Sequence, residues 1–138
     1  MPKPRDAQYA ALPWRRSETG ELEVLLITSR ETRRWVIPKG WPKPGESPAL
    51  STAREALEEA GVEGVIVQAP LGAYRYDKRL KDGELQPVEV KVYALQVLEE
   101  REAWPEADQR EKLWTAPSEA AGLVEEPELQ ALIAAFAP

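Results

Sequence analysis

"GWPKPGESPALSTAREALEEAGV", residues 40–62, contains the helix around which the rest of the chain is arranged. Ser47 is a good N-cap, Pro48 suits the first helical position and Gly61 is a natural stop, so the spacing predicts a helix over 48–60. Glu55, Glu58 and Glu59 then stand at i, i+3 and i+4, three carboxylates on one side of a single turn. Like charges so spaced oppose a helix by roughly 0.2–0.5 kcal/mol per pair, and a chain that accepts this needs a reason for it. With Glu55 as zero and about 100° per residue, Glu58 falls at roughly −60° and Glu59 at roughly +40°. Leu50, Ala53, Leu57 and Ala60 fall between about 140° and 220° on the same wheel. The wheel predicts two opposed stripes, an apolar one packed on a sheet and a cluster of negative charge turned outward.

Upstream of this helix, "YAALPWR" (9–15) and "ELEVLLITS" (21–29) read as strands around the turn "SETG" (17–20). "RWVIP" (34–38) reads as a short strand ended by Pro38, and "KGWPKPGE" (39–46) as a loop, because two prolines and two glycines oppose regular structure. Downstream, "VEGVIVQ" (62–68) and "GAYRYD" (72–77) are strand-like, and "KDGE" (81–84) turns into a long alternating strand, "VEVKVYALQV" (88–97). An acidic loop from Glu99 to Asp108 precedes a short strand, "KLWTA" (112–116), and "PSEAAGL" (117–123) offers one or two helical turns. "EPELQALIAAF" (126–136) puts Leu129, Leu132, Ile133 and Phe136 on one stripe and predicts a terminal amphipathic helix. Residues 1–8 are expected to be a flexible arm and 9–138 a single domain of interleaved strands and helices, an α/β fold.

Composition narrows the chemistry. The 138 residues include no cysteine and no histidine, which excludes disulfides, thiolate or imidazole metal sites, Cys nucleophiles and Ser-His pairs. Carboxylates, Lys, Arg, Tyr, hydroxyls and bound ions remain. The longest apolar runs, "VLLI" (24–27) and "ALIAAFA" (131–137), suit a core and not a membrane span, so a soluble cytoplasmic protein is the expectation. A net charge of −6 argues against general nucleic-acid binding. That charge is uneven: residues 1–45 hold nine Lys/Arg against five acids, hence +4, which leaves −10 for the remainder.

From Gly40 the chain fits the pattern G-x5-E-x7-R-E-u-x-E-E-x-G-u, where u is aliphatic, with Gly40, Glu46, Arg54, Glu55, Glu58, Glu59 and Gly61 at its fixed positions. A chance match is on the order of 10⁻⁸ per register at average composition. The segment resembles the Nudix box, the signature of hydrolases that cleave nucleoside diphosphates linked to another group. The resemblance implies a Nudix-type α/β/α sandwich with a mixed β-sheet and a dependence on Mg²⁺ or Mn²⁺, hard cations that carboxylate and carbonyl oxygens suit. It implies that Glu58, Glu59 and the Gly40 carbonyl bind metal, that Glu55 is a ligand or the general base, and that Glu46 and Arg54 pair to brace the loop. Ala56 departs from the larger aliphatic residue usual at its position.

"RRWVIPKGWPKPGE" (33–46) is similar to the entry segment of diadenosine polyphosphate hydrolases and diphosphoinositol polyphosphate phosphohydrolases. By that likeness Arg15, Arg30, Arg34 and Lys39 would bind phosphates, with Lys78, Arg79 and Lys91 as an opposite rim. A small-molecule polyphosphate is therefore the expected partner. Tyr74, Tyr76 or Trp41 could stack on a base, although a strand aromatic is more often core, as Trp35 and Trp114 are expected to be. Asp108, or else Glu111, is the candidate fourth acidic ligand. Alternatives are a nucleoside triphosphate or RNA 5′-pyrophosphohydrolase, an ADP-ribose pyrophosphatase, and a non-catalytic nucleotide-sensing domain. The oligomeric state is open between monomer and homodimer.

Overall fold

A computed structural model describes residues 7–138. The central helix, α1, spans Pro48–Ala60, as its capping residues predict: the Ser47 hydroxyl accepts the Leu50 N–H at 3.2 Å, and Gly61 closes it in the left-handed region at φ 68°. That φ favours glycine, and so do the surroundings, since a Cβ on Gly61 would lie 2.5 Å from the Trp104 indole.

Among the described residues the strands are β1 (Ala7–Arg16), β2 (Leu22–Thr28), β3 (Trp35–Val36), β4 (Lys39–Gly40), β5 (Val62–Ile66), β6 (Gly72–Arg79), β7 (Leu85–Glu100) and β8 (Lys112–Thr115). Helices α2 (Pro117–Leu123) and α3 (Pro127–Ala134) complete the chain, with Phe136 just beyond the last helix, edge-on to Trp14 at 6.2 Å. The first strand starts at Ala7, two residues into the expected arm, whose other residues lie outside the described ones. Lys39–Gly40, expected to be loop, is a short strand antiparallel to Tyr9–Ala10 of β1. β7 is longer than its alternation suggested and takes in Glu99 and Glu100 from the expected acidic loop.

The sheet is mixed. β1 and β7 run parallel from Ala7↔Glu89 to Trp14↔Gln96, whereas the other pairings are antiparallel. β7 carries β6 and then β5 on its remaining edge. Side chains alternate between the two faces, as strand geometry requires. Ala11, Leu25, Ile27 and Leu95 meet Ala56, Ala60 and Val62 on the α1 side, while Leu12, Val24, Leu26, Val90 and Val92 meet Ala120, Leu129 and Ile133 of α2 and α3. Helices cover both faces, which is the predicted α/β/α sandwich. No helix among the described residues is long and apolar enough to cross a membrane.

The orientation of α1 departs from the wheel. Its buried side is Ser51, Thr52, Glu55, Ala56, Glu59 and Ala60, and Leu50 is 63% exposed. Small residues let the helix lie close to the sheet, so two of the three carboxylates are carried inward, and Leu50, Ala53 and Leu57 border a surface groove instead. Ala56 is fully buried at this contact, where a larger aliphatic side chain would hold the helix off.

Candidate active site

Arg54 organises one half of the acidic cluster. Its Nε and Nη2 donate to the two oxygens of Glu46 at 2.8 and 2.9 Å, and Nη2 also donates to the Trp41 carbonyl at 3.1 Å. Nη1 donates to Glu55 Oε2 at 3.0 Å and to Glu58 Oε2 at 3.1 Å. One planar guanidinium thus ties the loop before α1 to two of its carboxylates, a fork geometry that lysine could not copy. The hydrogen bond from Arg54 holds the Glu46 carboxyl down at about 2, and Arg54 is in turn raised by Glu46. The brace expected between Glu46 and Arg54 is present in the geometry.

The other half is a buried carboxylate pair. Glu55 and Glu59 are 8% and 7% exposed, and the Glu55 carboxyl adds to the upward push on Glu59. Burial raises both groups, and Glu59 reaches about 8. Gly40 explains the close approach: a Cβ there would run into the Glu55 carboxylate. The β4 backbone is within reach as well, since the Lys39 N–H donates to Glu59 Oε1 at 3.3 Å. Arg110 Nη2 stands 3.6 Å from the same oxygen.

Beside this pair opens a cleft of about 740 Å³ lined by Arg30, Arg34, Lys39, Lys78, Arg79 and Arg110, with Glu31 and Glu59 as its acids. Burial lowers the Lys39 pKa, against the pull of Glu59. The Lys39 ammonium lies 5.1 Å over the Tyr76 ring, and Lys78 lies 5.7 Å from that of Trp41. These two half-buried aromatics therefore adjoin the cationic wall. Tyr74 does not: at 1% exposure it belongs to the core, with Trp35 packed against the same cluster and Trp114 against the one on the α1 side.

The family model described as NUDIX domain matches residues 6–136. The chain belongs to the Nudix family. It is 37% identical over 103 residues to Nudix hydrolase 12, mitochondrial, of Arabidopsis thaliana, covering 72% of this chain and 51% of that protein. It is 34% identical over 92 residues to the human diphosphoinositol polyphosphate phosphohydrolase 3-beta, covering 67% of this chain and 52% of that one. The chain thus spans about half the length of these curated relatives. In fold it is similar to a C. elegans Ap4A hydrolase binary complex, with a TM-score of 0.68 at 21% identity over 93% of this chain and 92% of the other.

Within this Nudix fold, Arg30, Arg34 and Lys39 share one cleft lining with Lys78 and Arg79, while Lys91 lies in β7 outside it. Arg15 is elsewhere, bound to Glu23 and Glu100 at 2.9 Å each and stacked over Trp114. Arg15 does not line this cleft, whereas Arg34 does, paired there with Glu126 at 2.9 Å. Asp108 is exposed and has no side-chain partner among the described residues, and Glu111 pairs distantly with Arg33 at 3.9 Å. The acid that this loop does bring to the site is Glu106, whose N–H donates to the Glu58 carbonyl at 3.0 Å and whose side chain pairs with Arg110 at 2.8 Å. Sequence reading missed both Glu106 and Arg110, because their i, i+4 spacing is ordinary and only the folded loop places them on the last turn of α1.

Among the described residues no three acidic side chains converge as a ready-made metal cage. Arg54 stands between Glu55 and Glu58, and Glu55 faces Glu59. The donor set still fits a hard divalent cation, because every candidate is an oxygen and a cation would offset the cost of burying the Glu55 and Glu59 carboxylates.

Proposed function

We propose that the protein hydrolyses a pyrophosphate bond in a polyphosphorylated small molecule, with Mg²⁺ or Mn²⁺ held by Glu55, Glu58, Glu59 and the Gly40 carbonyl. The observation that carries this reading is the cleft: six cations of a chain with net charge −6 line one cavity against two acids, Glu31 and Glu59. A bound cation would supply Lewis-acid neutralisation of charge developing on the phosphate oxygens. Glu55, oriented by Arg54 at 3.0 Å, would take the proton of the attacking water, since the chain has no histidine to serve as base. Lys39, Arg30 and Arg34 would bind the remaining phosphates, and the Glu46–Arg54 pair would hold the loop against the helix.

A chain of four or more phosphates carries more charge than the metal site neutralises, and this cleft offers the additional cations. Diadenosine tetra- to hexaphosphates or diphosphoinositol polyphosphates are therefore the preferred substrates. A product-resolved screen of these compounds, ADP-ribose and nucleoside triphosphates with Mg²⁺ or Mn²⁺ tests the reading. The long polyphosphates are expected to show the highest kcat/KM, and Lys39→Ala to lower it for them by about tenfold or more. Added salt is expected to raise their KM most steeply. If ADP-ribose or a single triphosphate is best and Lys39→Ala is neutral, the substrate reading fails. Binding without turnover across the panel would instead indicate a sensing domain.

A further inference from the structure

The segment between β7 and β8 is bound to the last turn of α1. The Arg101 N–H donates to the Gly61 carbonyl at 2.8 Å, the Glu106 N–H to that of Glu58 at 3.0 Å, and the Trp104 indole N–H to that of Glu59 at 3.3 Å. From the end of this segment Arg110 turns back to the same helix with its side chain only 9% exposed. Its Nε donates to Glu106 Oε1 at 2.8 Å and its Nη1 to the Thr28 carbonyl at 3.0 Å. Those two partners are fixed, one at the end of β2 and one on the docked segment. The third, Glu59 at 3.6 Å, is the longest contact, and it lies where the guanidinium borders the cleft.

We propose that Arg110 is a positioning residue that exchanges partners: it is the countercation of Glu59 in the metal-free protein, and its Nη2 passes to a substrate phosphate oxygen once a divalent cation takes over Glu59. This rests on the function proposed above. A guanidinium and a divalent cation compete for one carboxylate, so the cation's arrival removes the attraction that draws Nη2 toward Glu59. With Nε and Nη1 still held, the guanidinium stays at the cleft wall and needs no rearrangement of the loop. Arg110 and Lys39, which line the cleft together with Glu59, would then put two cations at the phosphate end nearest the metal.

The exchange predicts changes of opposite sign. In Arg110→Met, calorimetric titration with Mn²⁺ alone is expected to show binding at least about threefold tighter than wild type, because a competing cation is gone. Titration with the preformed Mn²⁺–tripolyphosphate complex is expected to show binding about tenfold weaker, because a charge-assisted contact is lost. Arg110→Lys keeps the charge without the fork, so its Mn²⁺ affinity should return towards wild type and its tripolyphosphate affinity should recover in part. If Arg110→Met weakens both ligands together with a lower Tm, or leaves tripolyphosphate binding unchanged, the residue merely props the loop and the proposal is overturned. If the opposite shifts appear in a protein that hydrolyses none of the screened polyphosphates, the exchange stands and the hydrolytic reading fails.

Discussion

Glu59→Gln is expected to lower kcat by about a hundredfold or more while making the metal-free protein more stable than wild type above neutral pH. Both effects follow from a carboxylate that burial raises to about 8. A group whose folded pKa lies above its unfolded value contributes stability that is complete below about 4.5, and this is lost as pH rises through about 8. The wild-type, metal-free Tm should therefore decline across that window. The Gln variant carries no charge there, so its Tm should decline less steeply and approach the wild-type curve at the acid end. Glu58→Gln, at a half-exposed carboxylate shared with Arg54, should also lose most turnover with the fold intact. Thermal melts from pH 5 to 9 and steady-state kinetics at saturating metal check both. Normal kcat in the two variants would remove these residues from the metal site, and unfolding of either would make the cluster structural.

Arg54→Ala is expected to lower stability by about 3 kcal/mol or more, a fall in Tm of roughly 10 °C. The substitution leaves Glu46, Glu55 and Glu58, now bound by one guanidinium, without that partner, and the side chains of Glu46 and Glu55 are only 13% and 10% exposed. It also frees the Trp41 carbonyl and with it the loop that enters α1. Turnover should fall along with stability, because Glu55 loses the donor that orients it. Arg54→Lys should recover little of either, as an ammonium cannot serve Glu46 with two parallel donors. A variant with wild-type Tm and no activity would instead put Arg54 in contact with substrate.

The helix was legible because its signals are local. Ser47, Pro48 and Gly61 act within a few residues of themselves, and the structure places α1 between them. Which side of α1 faces inward was not legible from hydrophobicity alone. The decisive contact is the glycine in β4 that makes room for Glu55, and a wheel that ranks residues by polarity puts buried glutamates outside. Lys39–Gly40 reads as loop in sequence for a related reason: its strand exists only through pairing with Tyr9 and Ala10 of β1. The cationic cleft was half visible. Arg30, Arg34 and Lys39 lie close in sequence and gather in space, but Arg15, on the far half of β1, points to Glu23 and Glu100. Arg110 enters from the opposite end of the chain, and nothing near it in sequence marks it out.

The parallel pairing of β1 with β7 also sets an order of events in time. β1, β2, β4 and α1 all lie within residues 7–60, and β2, β4 and α1 each touch β1, so their contacts close short loops. β7 joins β1 from roughly eighty residues away along the chain, and a contact of that span forms only after a large loss of chain entropy. The glycine strand and the carboxylate helix are thus expected to assemble early, with the long-range pairings of β7 on β1 and of β8 on β2 closing last. Conservative truncations at Val92 should then act mainly on the unfolding rate and those at Leu25 on the folding rate, and the reverse ranking would show that the long-range strand forms the nucleus.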